Sequence, residues 1–337
     1  MTHTLRNCFL TALSVVLGAS CAKTAGEDPN AAAQRYFDAW RAIHYPSAGE
    51  KDGIYIIDDT PGEGLEWREN LPVTFLTYTV RNLDGTVASN TAEDMARQLG
   101  EWDQTYYYGP QVTLTGEGIS YAGLDILLEG MRLGGTRTAI IPSWFMTSKR
   151  YDKPEDYLGY ETEKSAAIYT VTLLDQTENL ADYEYRSLKQ YAADKWNVTD
   201  TLSTAAVFFK SFTDFEQEPS EVSSDSTVYI NYTGRRVYDG QVFDTTVADT
   251  AKLYNIYDPS KTYEPVSITW AEEADKLSMG SGSSLISGFK HGLFAMHAEE
   301  KASFAFGYNL GYGSSASGSL IPAYAALQFD IEMVPEP

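Results

Sequence analysis

The chain has 337 residues, 43% hydrophobic and 21% charged, enough for two domains of about 100–150 residues that each bury a core. Forty-seven acidic side chains face 25 basic ones, for a net charge of −22. A field of that sign repels phosphate backbones and anionic headgroups, so nucleic acid is not an expected partner and the acidity is read as a solubility device.

Residues 1–20 carry Arg6 and no acid, then an apolar run over 9–19 that is too short to span a bilayer. This pattern predicts a cleaved export signal. The run ends in Leu17-Gly18-Ala19-Ser20-Cys21, which resembles the lipobox of bacterial lipoproteins, with Gly18 where leucine is usual. The resemblance implies a lipid on Cys21 and a chain anchored in the cell envelope, on the periplasmic or surface side of the outer membrane. The alternative is an ordinary secretory signal followed by a chance cysteine. Cys8 lies within the signal, so the mature chain keeps Cys21 alone and has no disulfide partner for it. Residues 21–33 are small and polar and read as a lipidated tether.

Residues 31–43 place Ala33, Phe37, Trp40 and Ile43 at helical spacing, ahead of a strand-like run at 53–57. The same order returns at 179–196, followed by an apolar run at 205–209. Each half then has an alternating strand with a tyrosine at the matching place, Tyr78 in the first and Tyr232 in the second, 154 residues apart. A Gly-rich helical segment follows in each, at 123–131 and 288–296, and then a β-rich end. A repeat of that length signals duplicated domains and not a solenoid. The expected class is α+β: two domains, each an antiparallel sheet curled around one short helix and each preceded by a helix. The expected divisions are a first domain over 34–175, a linker helix over 176–200 and a second domain over 201–334. The run 103–108 (DQTYYY) offers aromatics for binding, half buried if it forms a strand.

In the second half six short elements occur in order. They are Tyr232-Thr233-Gly234, Gly240-Gln241-Val242-Phe243-Asp244, Leu285-Ile286-Ser287-Gly288-Phe289, Gly311-Tyr312-Gly313, Leu320-Ile321-Pro322, and Leu327-Gln328-Phe329-Asp330-Ile331-Glu332. Taken singly, such aromatic and branched residues on strands are usually plain core. In combination they resemble the FKBP-type peptidyl-prolyl cis-trans isomerases nearly end to end. The resemblance implies that Tyr232, Phe243, Phe289 and Phe329 wall a pocket for a proline ring. Ile286, beside Leu285, would offer its backbone N–H to a substrate carbonyl. Asp244 would orient the twisting carbonyl, Tyr312 would donate its hydroxyl to the substrate backbone, and Leu320 and Ile321 would cover the ring. Phe289 stands where the family often has tryptophan. Between Asp244 and Leu285 the chain runs longer than in the simplest members, through 254–257 and 270–282, as a flap or as a packed excursion.

The first half keeps Tyr78 but has Ala88-Ser89 where Phe243-Asp244 stand, Ser120-Tyr121 where Leu285-Ile286 stand, and Phe145-Met146-Thr147 in place of the Gly-Tyr-Gly turn. It is therefore expected to keep the fold and lose the pocket. Four histidines without ligand spacing, and no thiol to join them, give no reason to expect a metal or any other cofactor. The resemblance implies an isomerase and folding helper whose partners are unfolded or proline-containing polypeptides. The rival reading is a non-catalytic peptide- or glycan-binding lipoprotein or chaperone, which would not need Asp244 together with Tyr312.

Overall fold

The computed structural model describes residues 29–280 and 282–337, so the expected signal, Cys21 and most of the tether lie outside the described residues. The first domain runs α1 (Ala31–His44), β1 (Gly49–Lys51), β2 (Ile54–Thr60), β3 (Val73–Asn82), β4 (Val87–Asn90) and α2 (Glu93–Leu99). It continues with β5 (Gln111–Leu114), α3 (Ala122–Leu128), β6 (Thr136–Ile141) and β7 (Ala167–Thr177). After α4 (Leu180–Trp196) come β8 (Val207–Ser211), β9 (Thr227–Arg236), β10 (Val242–Thr245), α5 (Ala248–Leu253) and β11 (Val266–Thr269). The chain ends in β12 (Ser278–Met279), α6 (Ser287–Phe294), β13 (Lys301–Phe306) and β14 (Leu327–Val334).

The class is α+β, with two antiparallel seven-stranded sheets whose plans match. In the first, the order β2-β6-β7-β3 leaves one edge of β3 to be shared by β4 and β5. In the second, β8-β13-β14-β9 leaves the corresponding edge of β9 to β10 and β11. The repeat holds in register: Tyr78 pairs with Val171 and Tyr232 with Ile331. It holds in hydrogen bonding too. The Tyr78 N–H donates to Thr91 Oγ1 at 2.8 Å and the Thr91 N–H returns to Tyr78 O at 2.8 Å. Tyr232 and Thr246 repeat the exchange at 2.9 and 3.0 Å.

The Gly-rich helical segments have a packing reason. A Cβ on Gly123 would come within 2.3 Å of Ile141, and one on Gly288 within 2.3 Å of Phe306, so α3 and α6 lie against β6 and β13 only because glycine stands there. Each domain has its own core: Phe37, Ile54, Leu127, Ile140 and Phe145 belong to the first, and Ile230, Phe289, Phe304, Phe306 and Phe329 to the second. Phe37 ties α1 to the first core, and α1 stops before Tyr45-Pro46, where the proline disfavours helical geometry. α4 begins with the Asn179 side chain accepting the N–H groups of Ala181 and Asp182, at 2.9 and 3.3 Å. It ends at Asn197 in the left-handed region, at φ 56°. Its Leu188, Ala192 and Trp196 pack on Phe208 of β8 and Ala305 of β13, so the helix is part of the second domain's packing.

Residues 103–108 form no strand; they make a turn between the domains. Tyr107 is buried with its ring 5.5 Å from that of Tyr238, and Tyr106 is exposed. Among the described residues no helix is long and apolar enough to cross a membrane.

Candidate functional site

β9 and β14 lie side by side and carry the centre of the site. Phe329 of β14 pairs with Gly234 of β9, and a Cβ on that glycine would approach Phe243 at 2.7 Å and Phe329 at 2.8 Å. Glycine at 234 thus lets two aromatic rings meet above the sheet. Phe243 and Phe329 stand edge to face at 5.7 Å, and Phe289 of α6 meets Phe329 edge to face at 4.9 Å. The Tyr232 ring completes the wall, 6.1 Å from Phe289 and 6.4 Å from Phe329. Phe289 and Phe329 are buried and form the floor, whereas Tyr232 and Phe243 are only partly buried.

These rings enclose a cavity of about 250 Å³ that is also lined by Asp244, Leu285, Ile286 and Tyr312. Asp244 arrives through an irregularity in the β10 register between Val242 and Asp244. Its Oδ2 accepts the Tyr232 hydroxyl at 2.5 Å, and its Oδ1 is ion-paired with Lys261. Burial, and then the charge of Asp244, push the Tyr232 phenol far above its usual value, so its proton stays in that bond. Ile286 precedes the first turn of α6 at φ −70°, ψ 151°, and its backbone N–H makes no hydrogen bond among the described residues. Tyr312 is 40% exposed at the rim and makes no hydrogen bond among the described residues. The cavity is thus a small cup with an aromatic floor and a polar rim that carries one anchored carboxylate, one backbone donor and one phenol.

Eight of the ten pocket residues expected from the sequence line this cavity; Leu320 and Ile321 do not. Ile321 is 5% exposed and packs into the second core, and the Leu320 carbonyl accepts from the buried Arg236 Nη1 at 2.5 Å. An apolar pair ahead of a proline fits a core as well as a lid, and here the core has taken it. Met279, Ser283 and Ser284 line the cavity without having been expected, as does Lys261 its carboxylate. The long segment between Asp244 and Leu285 therefore does two things. Trp270 is buried and stacks on Phe294 as a packed excursion, while Lys261, Met279, Ser283 and Ser284 border the site.

The first domain departs from expectation in another way. By strand register Ser89 pairs with Val80 as Asp244 pairs with Gly234, so the carboxylate and the Phe243 wall are indeed replaced by Ser89 and Ala88. A cavity of about 350 Å³ nevertheless persists there, lined among others by Tyr78, Tyr121, Leu124 and Tyr169.

Residues 218–334 match the FKBP-type peptidyl-prolyl cis-trans isomerase family model. FK506-binding protein 2 of Candida glabrata is 29% identical over 107 residues, which is 32% of this chain and 62% of that protein. The chain thus spans less than two thirds of that relative's length. Among solved structures, the three FKBP domains of wheat FKBP73 are 18% identical at a TM-score of 0.30, covering 84% of this chain and 94% of that one. FkpA from Escherichia coli is 21% identical at a TM-score of 0.31, covering 46% and 58%. Over residues 218–334, the chain is thus similar to the FKBP-type peptidyl-prolyl cis-trans isomerases.

Proposed function

We propose that the second domain catalyses cis-trans isomerisation of X-Pro bonds in polypeptides. The observation that carries the reading is the Tyr232–Asp244 hydrogen bond set beside Phe243, Phe289 and Phe329 in one cavity, within the segment that matches the family. No covalent bond changes. The barrier of about 18–20 kcal/mol is amide resonance, and the planar amide is more polar than the twisted one. A cup that removes water from the amide therefore favours the twisted state over the ground state. The phenylalanines receive the proline ring and exclude water. The Ile286 N–H holds a substrate carbonyl, and Tyr312 donates to the peptide backbone from the rim. Asp244, pinned by Tyr232 and Lys261, keeps a fixed negative charge beside the cavity that orients the twisting carbonyl dipole.

The test is isomerisation of a short leucyl-prolyl peptide by the full chain, with binding followed separately by calorimetry. Phe243→Ala should lower kcat/KM by about ten- to a hundredfold, through lost ring contact and admitted water. Asp244→Asn should lower turnover more than binding. A wild-type chain that binds the peptide and leaves it at the uncatalysed rate would make this a binding module.

The signal-like residues 1–20 and the Leu17-to-Cys21 motif support a further reading, in which the clients are exported polypeptides met at a membrane to which Cys21 is lipid-linked. Cys21→Ser should then move the protein from the carbonate-washed membrane pellet to the soluble fraction, and retention in the pellet would refute the anchor.

A further inference from the structure

The cavity of the first domain stands at the same place in the fold as the isomerase cup, position by position. Tyr78 occupies the place of Tyr232, as their exchanged bonds with Thr91 and Thr246 show. Tyr121 precedes α3 as Ile286 precedes α6, and Leu124 is the third residue of its helix as Phe289 is of the other. Tyr169 lies two residues before Val171, the partner of Tyr78, as Phe329 lies two before Ile331, the partner of Tyr232.

The replacements change the size of the cavity and the chemistry of its walls. Ala88 for Phe243 and Leu124 for Phe289 take away ring volume, and the space grows from about 250 to about 350 Å³. Ser89 for Asp244 takes away the only carboxylate, leaving no acid, lysine or arginine on the lining. Tyr121 and Tyr169 add hydroxyls where the other domain has Ile286 and Phe329. Burial pushes the Tyr169 phenol up to about 12, so it remains a hydrogen-bond donor at physiological pH. Outside the cavity the chain carries a net charge of −22.

We propose that this cavity is a second polypeptide-binding site, which holds a bulky uncharged side chain of an extended, non-acidic segment and does not turn it over. The apolar walls take a side chain larger than a proline ring, and the phenols satisfy the backbone carbonyls beside it. The absence of lining charge rejects an ionised side chain, which would lose its hydration without a partner. The overall negative field disfavours acidic segments and favours basic flanks. The inference does not depend on turnover in the second domain, because it concerns a different cavity and a different readout.

The experiment uses the full chain and a pentapeptide with central p-benzoylphenylalanine, flanking alanines and lysine ends. Irradiation of the complex should label the tryptic fragments 98–132 or 138–149, which carry Tyr121, Leu124 and Met146. Ser89 is exposed at the rim, so Ser89→Tyr should obstruct the cavity without disturbing a core. It should cut labelling of those fragments about tenfold while leaving leucyl-prolyl isomerisation and the urea midpoint unchanged. Leu124→Trp, which fills the cavity from within, should do the same. Labelling confined to residues 229–331, or undiminished in both variants, would overturn the proposal. So would a wild-type dimer that Ser89→Tyr converts to monomer, since the occupant would then be a second copy of the chain.

Discussion

At the scale of single residues, the site depends on how polar groups are held within apolar surroundings. Tyr232 and Asp244 fix each other, and Lys261 supplies the compensating charge from a loop with no patterned relation to either. Glu184 on α4 is the contrasting case. Its Oε2 accepts the Tyr308 N–H at 2.9 Å beside a cavity between the domains that is lined by Phe75, Tyr107, Tyr183 and Tyr324. Burial pushes its carboxyl from 4.5 up to about 7, only partly offset by that N–H. A carboxyl raised on folding binds its proton more tightly in the folded than in the unfolded chain. Its ionisation therefore removes stability as the pH rises from about 4.5 to about 7, and nothing more is lost above that. Glu184→Gln keeps an acceptor for Tyr308 without the charge. The variant should match the wild type near pH 4.5 and exceed it by about 1–3 kcal/mol at pH 8, the side chain being only partly buried. Urea unfolding of both proteins at the two pH values checks this, and an equal difference at both would rule it out.

The same scale shows what could be read from the chain. Tyr232, Phe243, Asp244, Ile286 and Tyr312 were legible because each sits in a short motif and the motifs keep their order. Lys261, Met279 and Glu184 were not, since they reach their places from a loop, from the two-residue strand β12 and from helix α4, none of which a local pattern ties to its partner.

At the scale of elements, the long strands followed from alternation and the helices α1 and α4 from their periodicity, while α2 and α5, of seven and six residues, are too short for a period to show. Residues 103–108 illustrate a local conflict. Thr105 and three tyrosines favour a strand, yet Asp103 Oδ1 accepts both the N–H and the hydroxyl of Thr105 at 2.8 Å and closes a turn. Asp84 with Thr86 and Asp258 with Ser260 repeat the device, so Asp-x-Thr/Ser was the signal that outweighed strand propensity. α4 shows why a helix between two domains is not a free linker. Its polar face is legible, but Leu188, Ala192 and Trp196 find their partners on β8 and β13, which the helix itself cannot announce.

At the scale of the whole molecule, the duplication was legible and the contact between the copies was not. That contact includes an apolar cluster of Val73, Phe75, Leu180, Tyr308 and Tyr324, and beside it Arg236, the last residue of β9, which is 2% exposed. Its Nη1 donates to the carbonyls of Thr105 at 3.1 Å and Leu320 at 2.5 Å, and its Nε and Nη2 hold Asp239 at 3.0 and 2.7 Å. The guanidinium also lies 5.3 Å from the centre of the Tyr107 ring. One side chain thus joins a turn of the first domain, a strand of the second and the loop ahead of β14. Few side chains could replace it, because a lysine lacks the planar fork that serves a carboxylate and two carbonyls together. Arg236→Met would leave Asp239 and these carbonyls without their donor, at a cost of about 3–5 kcal/mol. The loss falls on the contact between domains as well as on the second domain, so the cores should cease to melt together. Wild-type protein is expected to unfold in one calorimetric transition, and Arg236→Met in two, the earlier one belonging to the second domain. Asn255 Nδ2 on Gln104 Oε1, at 2.6 Å, is too exposed to hold the domains by itself. If Arg236→Met melts in a single transition within about 1 °C of the wild type, Arg236 does not couple the two domains.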